Sequence, residues 1–161
     1  HYANLLGGIQ GMEDRPNLSV LARQLIKSIE VDPEAQPALQ EEKAAPLARK
    51  IARLESQLEK EPWRHYDLYK ACRLAAKRYP ASPTGAASAE RVAALKKDKK
   101  AWRIIGLETR RRDIADKLGE IETYEKSGET EKARKELDRL LIKYPGRSRS
   151  DLEKIAQTRA E

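Results

Sequence analysis

Residues 114–147, IADKLGEIETYEKSGETEKARKELDRLLIKYPGR, decide the fold of this chain. Tyr124 lies late on a first apolar stripe, and Gly128 supplies the backbone freedom that a tight turn needs. On a second stripe the small side chain of Ala133 allows close approach, and Pro145 ends the segment because proline cannot continue a helix. The spacing predicts two short helices, joined near Gly128, that fold back on each other.

A weaker copy of this pattern lies earlier in the chain. Tyr79-Pro80 repeats Tyr144-Pro145 at a distance of 65 residues. When the two prolines are aligned, Leu68 falls opposite Ala133, and Cys72 takes the place of a large apolar residue, Leu137. Internal repetition of a helical hairpin is therefore predicted.

The composition predicts an all-α fold. Charged residues make up 37% of the chain and aromatic residues 5%, with no Phe, so few large side chains are available for a thick core. Ala, Leu, Lys, Arg and Glu favour helices, and the sequence contains no alternating run typical of a strand. We expect thin layers of helix packed on helix, in an array of antiparallel hairpins.

Punctuation along the chain suggests its organisation. Residues 1–17 are expected to be loosely ordered, and 18–161 to form a single all-α domain. A helix capped by Asn17 is predicted over 18–29, and Pro46 marks either the start of the helix over 40–60 or a kink in it. The other predicted helices cover 64–78, then 84–126 as one long helix or as two joined near 97–100, then 130–143, and a last one capped by Ser150.

The quoted residues resemble the tetratricopeptide repeat, a 34-residue helical hairpin. Measured from Tyr124, the small residue Ala133, the apolar Leu137 and Pro145 fall at the offsets of that repeat. The match covers 114–147, and a partial match covers roughly 46–83. The resemblance implies a non-catalytic scaffold for another protein. The Tyr-Pro stops resemble those of repeats in bacterial envelope lipoproteins, which implies the bacterial periplasm or cell envelope.

A basic segment at residues 96–112 is the main candidate for binding. It contains eight basic and two acidic residues and carries six of the seven net positive charges of the chain. Trp102 lies among these charges and could anchor an interface or stack on a base, although it also fits the apolar stripe of a helix. The residues proposed for partner binding are Lys96, Lys100, Trp102, Arg103, Arg110 and Arg111.

Three interpretations of the basic segment are open from sequence alone. It could bind an acidic protein, or it could bind nucleic acid or an anionic membrane surface. It could also be a solvated helical face, since consecutive residues point around the whole circumference of a helix. A further hypothesis is that the chain is an auxiliary domain that spaces or oligomerises a larger protein.

The sequence offers little for catalysis. His65 and Cys72 are the only candidates for nucleophilic chemistry, and on one helix they would lie about 10 Å apart along its axis. Sharing a proton requires contact within about 3 Å. No cluster suited to a metal and no glycine-rich phosphate loop is apparent. We therefore predict no enzyme activity, no cofactor and no catalytic residue.

Overall fold

The computed structural model describes residues 24, 25, 27–29 and 31–159. Within them the regular structure is helical and contains no strand, which confirms the all-α prediction. The helices are α1 (Gln36–Glu55), α2 (His65–Arg78), α3 (Pro83–Lys97), α4 (Lys99–Lys126), α5 (Thr130–Lys143) and α6 (Arg149–Gln157), with a short 3₁₀ turn at Pro62–Arg64. The predicted segment 1–17 lies outside the described residues, as do most of the helix predicted over 18–29 and its predicted cap Asn17.

One predicted helix has clearly different bounds in the structure. The helix predicted over 40–60 is α1, which begins at Gln36 and ends at Glu55. Its first turn contains Pro37, and a proline is tolerated there because the N–H it removes has no partner within the helix. Pro46 lies inside α1 and does not mark its start.

The predicted span 84–126 is two helices, divided at Asp98. Its Oδ1 accepts hydrogen bonds from the backbone N–H groups of Lys100 (2.9 Å) and Ala101 (3.0 Å), and so caps α4. An aspartate cap satisfies N–H groups that have no partner within the helix, and its negative charge interacts favourably with the positive end of the helix dipole. The start of α4 at Lys99 fixes which faces its basic residues occupy.

The cap of the last helix was predicted wrongly. Ser148, and not Ser150, caps α6 by accepting a hydrogen bond from the backbone N–H of Asp151 (3.2 Å). The Asp151 carboxylate in turn accepts from the backbone N–H of Ser148 (2.9 Å), completing a capping box. Ser150 lies within the first turn of the helix.

The chain divides into two compact units. Among the described residues, the first consists of those up to Ser56 together with Asp67–Lys97, and the second of Gln57–Tyr66 and those from Asp98 onward. Helix α2 therefore begins with two residues of the second unit and continues in the first.

In the first unit, α3 packs against α1 at a polar clasp. The Glu41 carboxylate accepts hydrogen bonds from the backbone N–H (2.8 Å) and the hydroxyl of Thr84. The Ser82 hydroxyl accepts from the backbone N–H of Gly85 (2.9 Å) at the start of α3. Gly85 is required here, because a Cβ atom would lie only 1.8 Å from the carbonyl oxygen of Tyr79.

In the second unit, α5 and α6 both pack against α4. The backbone turns between α4 and α5 at Gly128, where φ is +77°, as the sequence predicted for a tight turn. The predicted helix over 130–143 is confirmed as α5. The core of this unit combines residues from the second half of α4 with residues of α5 and α6: Ile114, Leu118, Ile121, Ala133, Leu140 and Leu152.

Candidate functional site

Most of the basic segment forms the first half of α4, and this half has one buried face and one exposed face. In the first half of α4, residues 99–112, the buried positions are Ala101, Ile104, Ile105 and Glu108, each at most 3% exposed. Their spacing of three and four residues places them along one side of the helix. The basic residues of this half are therefore divided between positions beside that buried side and positions on the opposite, exposed side.

Glu108 is the one acidic residue of this half, and it is fully buried. Its carboxylate accepts hydrogen bonds from Arg111 Nη2 (2.7 Å) and Nε (2.9 Å), and from Arg112 Nε (2.9 Å). Burial alone would raise the pKa of Glu108, but the hydrogen bonds from the two guanidinium groups outweigh it, so the pKa lies below its ordinary value. Glu108 is thus held as a carboxylate.

Arg111 is committed to the interior of the second unit. Besides Glu108, it donates a hydrogen bond from Nη1 to the backbone carbonyl of Ala156 (2.8 Å), which ties the first half of α4 to α6. Its pKa is raised, chiefly by the hydrogen bond to Glu108. The guanidinium of Arg112 lies over the ring of Tyr66, 4.4 Å from the ring centroid. These two arginines act in this structure as internal ties.

The opposite side of this half of α4 carries four exposed cations. Lys99, Arg103 and Arg110 fall at positions i, i+4 and i+11, which lie on one face, and Lys100 lies beside them. By helix geometry the face extends about 16 Å from Lys99 to Arg110. We call Lys99, Lys100, Arg103 and Arg110, together with the exposed Trp102, Gly106 and Leu107, the cationic surface.

The cationic surface also exposes two large apolar side chains. Trp102 and Leu107 are each 41% exposed, and they flank the line of cations on opposite sides. The sequence pattern allowed Trp102 to be part of the apolar stripe, but the stripe in this half runs through the buried row on the other side of the helix. Trp102 therefore adds apolar area to the exposed surface.

The four cations lack acidic partners among the residues that the structure describes. No described carboxylate lies within ion-pairing distance of Lys99, Lys100, Arg103 or Arg110. Asp113, three residues after Arg110, accepts hydrogen bonds instead from Lys143 Nζ (2.7 Å) and the Tyr144 hydroxyl (2.9 Å). The positive charge of the surface is thus left for solvent or for another molecule.

The structure divides the six residues proposed from sequence. Lys100, Trp102, Arg103 and Arg110 lie together on the cationic surface, whereas Arg111 points to Glu108. Lys96 is exposed in the last turn of α3 and belongs to the first unit. Sequence reasoning missed Lys99 and Leu107 as members, although the Asp98 cap would have fixed their positions on the helix.

The first unit contains an open groove. It has a volume of about 530 Å³, and its lining includes four alanines of α1 and α3 and the ion-paired Glu55 and Arg91. Cys72 contributes to its wall but is buried, and burial raises the pKa of its thiol to about 11. At neutral pH this thiol is protonated and is a poor nucleophile.

The described part of the chain contains neither of two further features, a metal site and a membrane-spanning helix. Residues 24–159, apart from the undescribed positions 26 and 30, contain no group of three or more His, Cys, Asp or Glu side chains placed to hold a metal ion. No helix in these ranges has the length and apolar character needed to cross a membrane.

Comparison with known proteins does not add to this picture. The chain matches no protein-family model, no curated protein and no solved structure.

Proposed function

We propose that this chain is a non-catalytic interaction module whose cationic surface binds an acidic protein. One observation carries the proposal: four exposed cations, without a carboxylate partner in the described part of the chain, stand beside two half-exposed apolar side chains on one helix. Protein interfaces are enriched in Trp and Arg, and their strongest contacts combine a buried aromatic anchor with desolvated charged groups. The surface offers both kinds of group.

An acidic partner is favoured because the exposed cations have no carboxylate partner among the described residues. Like charges at i and i+4, such as Lys99 and Arg103, repel each other and slightly destabilise the helix that carries them. Carboxylates of a partner would relieve this repulsion and would steer the encounter. Leu107 favours a protein over a polyanion, because an apolar side chain gains most against an apolar partner surface.

We also propose that the scaffold is of the tetratricopeptide type. Three features support it: the positive φ of Gly128 at the turn, the burial of Ala133, and contacts from α4 to both α5 and α6. Ile121 is fully buried at a position where the repeat usually has a small residue, so the packing here would be a divergent form. The envelope location implied by the resemblance stays a prediction.

The test is a pull-down with a charge-reversed surface. A Lys99/Arg103/Arg110→Glu variant is compared with the intact chain and with a matched Arg134/Lys135/Arg147→Glu control, which reverses three exposed cations elsewhere in the second unit. All three proteins are first shown to have the same helical circular dichroism. We expect an acidic protein to be retained by the intact chain and by the control, after nuclease treatment, and to be lost from the first variant.

Two results would contradict the proposal. Retention of nucleic acid alone, with affinity falling by powers of ten as salt rises a few-fold, would assign the surface to polyanion binding. Equal retention by the intact chain and both variants would show that the cationic surface binds nothing of consequence.

A further inference from the structure

Gly106 occupies the middle of the cationic surface, where the fold has no need of a glycine. It lies in the interior of α4, where glycine is among the least favourable residues for a helix. It is exposed, and a Cβ atom placed on it would meet nothing within 4 Å. The chain would therefore accommodate a larger side chain here and would gain helix stability from it.

Three other glycines have evident reasons. Gly128 and Gly146 have positive φ angles, and at Gly85 the Tyr79 carbonyl oxygen leaves no space for a side chain. Gly119 resembles Gly106 instead: it is exposed within α4, and a Cβ atom placed on it would also meet nothing within 4 Å. Gly119 lies outside the cationic surface, so it serves as a reference for a glycine without a role.

Because Gly106 has no side chain, the cationic surface lies closest to the axis of α4 at this position. It completes the line of Lys99, Arg103 and Arg110 at i+7, with one cation about one turn to either side. Trp102 rises on one flank and Leu107 on the other. The distance between two packed helices depends on the side chains where they cross, and it is shortest at a glycine.

An extended peptide cannot pair with this surface as an added strand. Strand addition needs unpaired backbone groups on the receiving protein. The backbone groups in the middle of α4 are already bonded within the helix. A partner helix satisfies its own backbone and can bring a ridge of side chains into the gap at Gly106.

We infer that the partner presents an acidic α-helix that crosses α4 at Gly106. The inference rests on the proposed function and specifies its partner. Carboxylates of that helix pair with Arg103 and Arg110 on either side of the crossing, and its apolar residues contact Trp102 and Leu107. The helix axes approach closely because Gly106 has no side chain.

Two synthetic peptides and two glycine variants test this inference. The probe is a fluorescein-labelled 20-residue helix with Glu along one face and Leu and Ala beside it. The control peptide has the same sequence except for Pro at two central positions, which breaks the helix. Gly106→Gln is compared with the matched Gly119→Gln, and binding is measured by fluorescence anisotropy. Because Gln favours helix over Gly, both variants should melt a few degrees higher than the intact chain.

We expect the helical peptide to bind the intact chain about tenfold more tightly than the proline-containing peptide. Gly106→Gln should weaken that binding by about tenfold, although it stabilises the protein, and Gly119→Gln should leave it within about twofold. Equal binding of both peptides, or no loss in Gly106→Gln, overturns the helical partner while binding of acidic protein stands. Failure of the intact chain to bind either peptide overturns the inference, while the proposed function is decided by the pull-down with the charge-reversed surface.

Discussion

The two halves of α4 use their charges in opposite ways. The first half, residues 99–112, has six basic residues and one acidic residue, and the second half, 113–126, has two basic and five acidic residues. In the second half, charged side chains pair within the unit: Lys117 with Glu120, Lys126 with Glu122, Arg149 with Glu125 and Lys143 with Asp113. In the first half, the single acid is buried, and the exposed cations have no carboxylate partner among the described residues.

The buried sides of the two halves also differ. The second half buries an apolar row of Ile114, Leu118 and Ile121 against α5 and α6. The first half buries Glu108 together with its apolar neighbours, and needs two guanidinium groups to compensate the carboxylate. The buried residues within 101–108 and those within 114–121 lie on different sides of the helix, about a third of a turn apart at roughly 100° per residue. One continuous helix thus combines a half that has an apolar buried side and ion-paired charges with a half whose exposed cations have no carboxylate partner among the described residues.

The largest effect is expected from the apolar half. Ile121→Ala removes a fully buried side chain from the core, and we expect it to lower the free energy of unfolding by about 4 kcal/mol. Urea denaturation followed by tryptophan fluorescence measures this, because both tryptophans, Trp63 and Trp102, belong to the second unit.

The matched control for this prediction is Ile142→Ala on α5. Ile142 is 79% exposed, so its truncation should change the free energy of unfolding by no more than about 0.5 kcal/mol. If the two isoleucine variants lose equal stability, the core of the second unit does not lie where α4, α5 and α6 meet.

The charged half should be destabilised by Glu108→Gln. Removing one partner of a buried ion pair leaves the other charge uncompensated, and we expect a loss of about 3 kcal/mol. This is the low end of the range, because the Arg111 and Arg112 side chains are 20% and 32% exposed. The same urea titration measures the loss, with the exposed Glu120→Gln as a control that should leave the midpoint nearly unchanged.

The pH dependence distinguishes this loss from a packing defect. The pKa of Glu108 is lower in the folded chain than its ordinary value near 4.5. A carboxyl with a lowered pKa stabilises the fold above its unfolded pKa, and this contribution is lost as pH falls through the folded pKa. The difference between the intact chain and Glu108→Gln should therefore shrink below about pH 4.5, whereas the difference for Ile121→Ala should not. A pH-independent difference for Glu108→Gln would show that its charge does not stabilise the fold.

Where the sequence has clear punctuation, the elements were predictable. The bounds of α5 follow from Gly128 and Pro145, since each acts through backbone geometry that neighbouring residues do not alter. The cap of α6 was predicted wrongly because both Ser148 and Ser150 precede acidic residues. Each serine has an acidic residue three positions later, Asp151 after Ser148 and Glu153 after Ser150, so the capping-box pattern does not choose between them. In the structure the Asp151 carboxylate reaches back to Ser148, whereas Glu153 pairs with Arg149.

The surface was harder to predict than the helices. Periodicity assumes a single buried stripe, and this assumption made Trp102 a possible core residue although it is 41% exposed. The buried side changes partway along α4, because the neighbours of the helix change, and a count of apolar residues does not register this. Glu108 could have been recognised, since Arg111 and Arg112 stand three and four residues after it, the spacing of ion pairs on one helical face.

The smallest predicted effect is a change in the free energy of unfolding whose sign distinguishes the two halves of α4. Arg103 lies four residues after Lys99 and has no carboxylate partner in the described part of the chain, so Arg103→Gln removes a repulsion between like charges. We expect the free energy of unfolding to rise by about 0.3 kcal/mol at low salt, and the gain to disappear near about 0.5 M salt, where exposed charges are screened. Thermal denaturation at the two salt concentrations measures it.

Arg139→Gln on α5 is the control with the opposite sign. Arg139 is exposed but pairs with Glu136, so its removal should lower stability slightly, and salt should diminish that loss. If Arg103→Gln also lowers stability, the cations of the first half are already compensated within the chain. If it raises stability, the fold tolerates a small cost to keep Arg103, and binding by the cationic surface is what would maintain that charge.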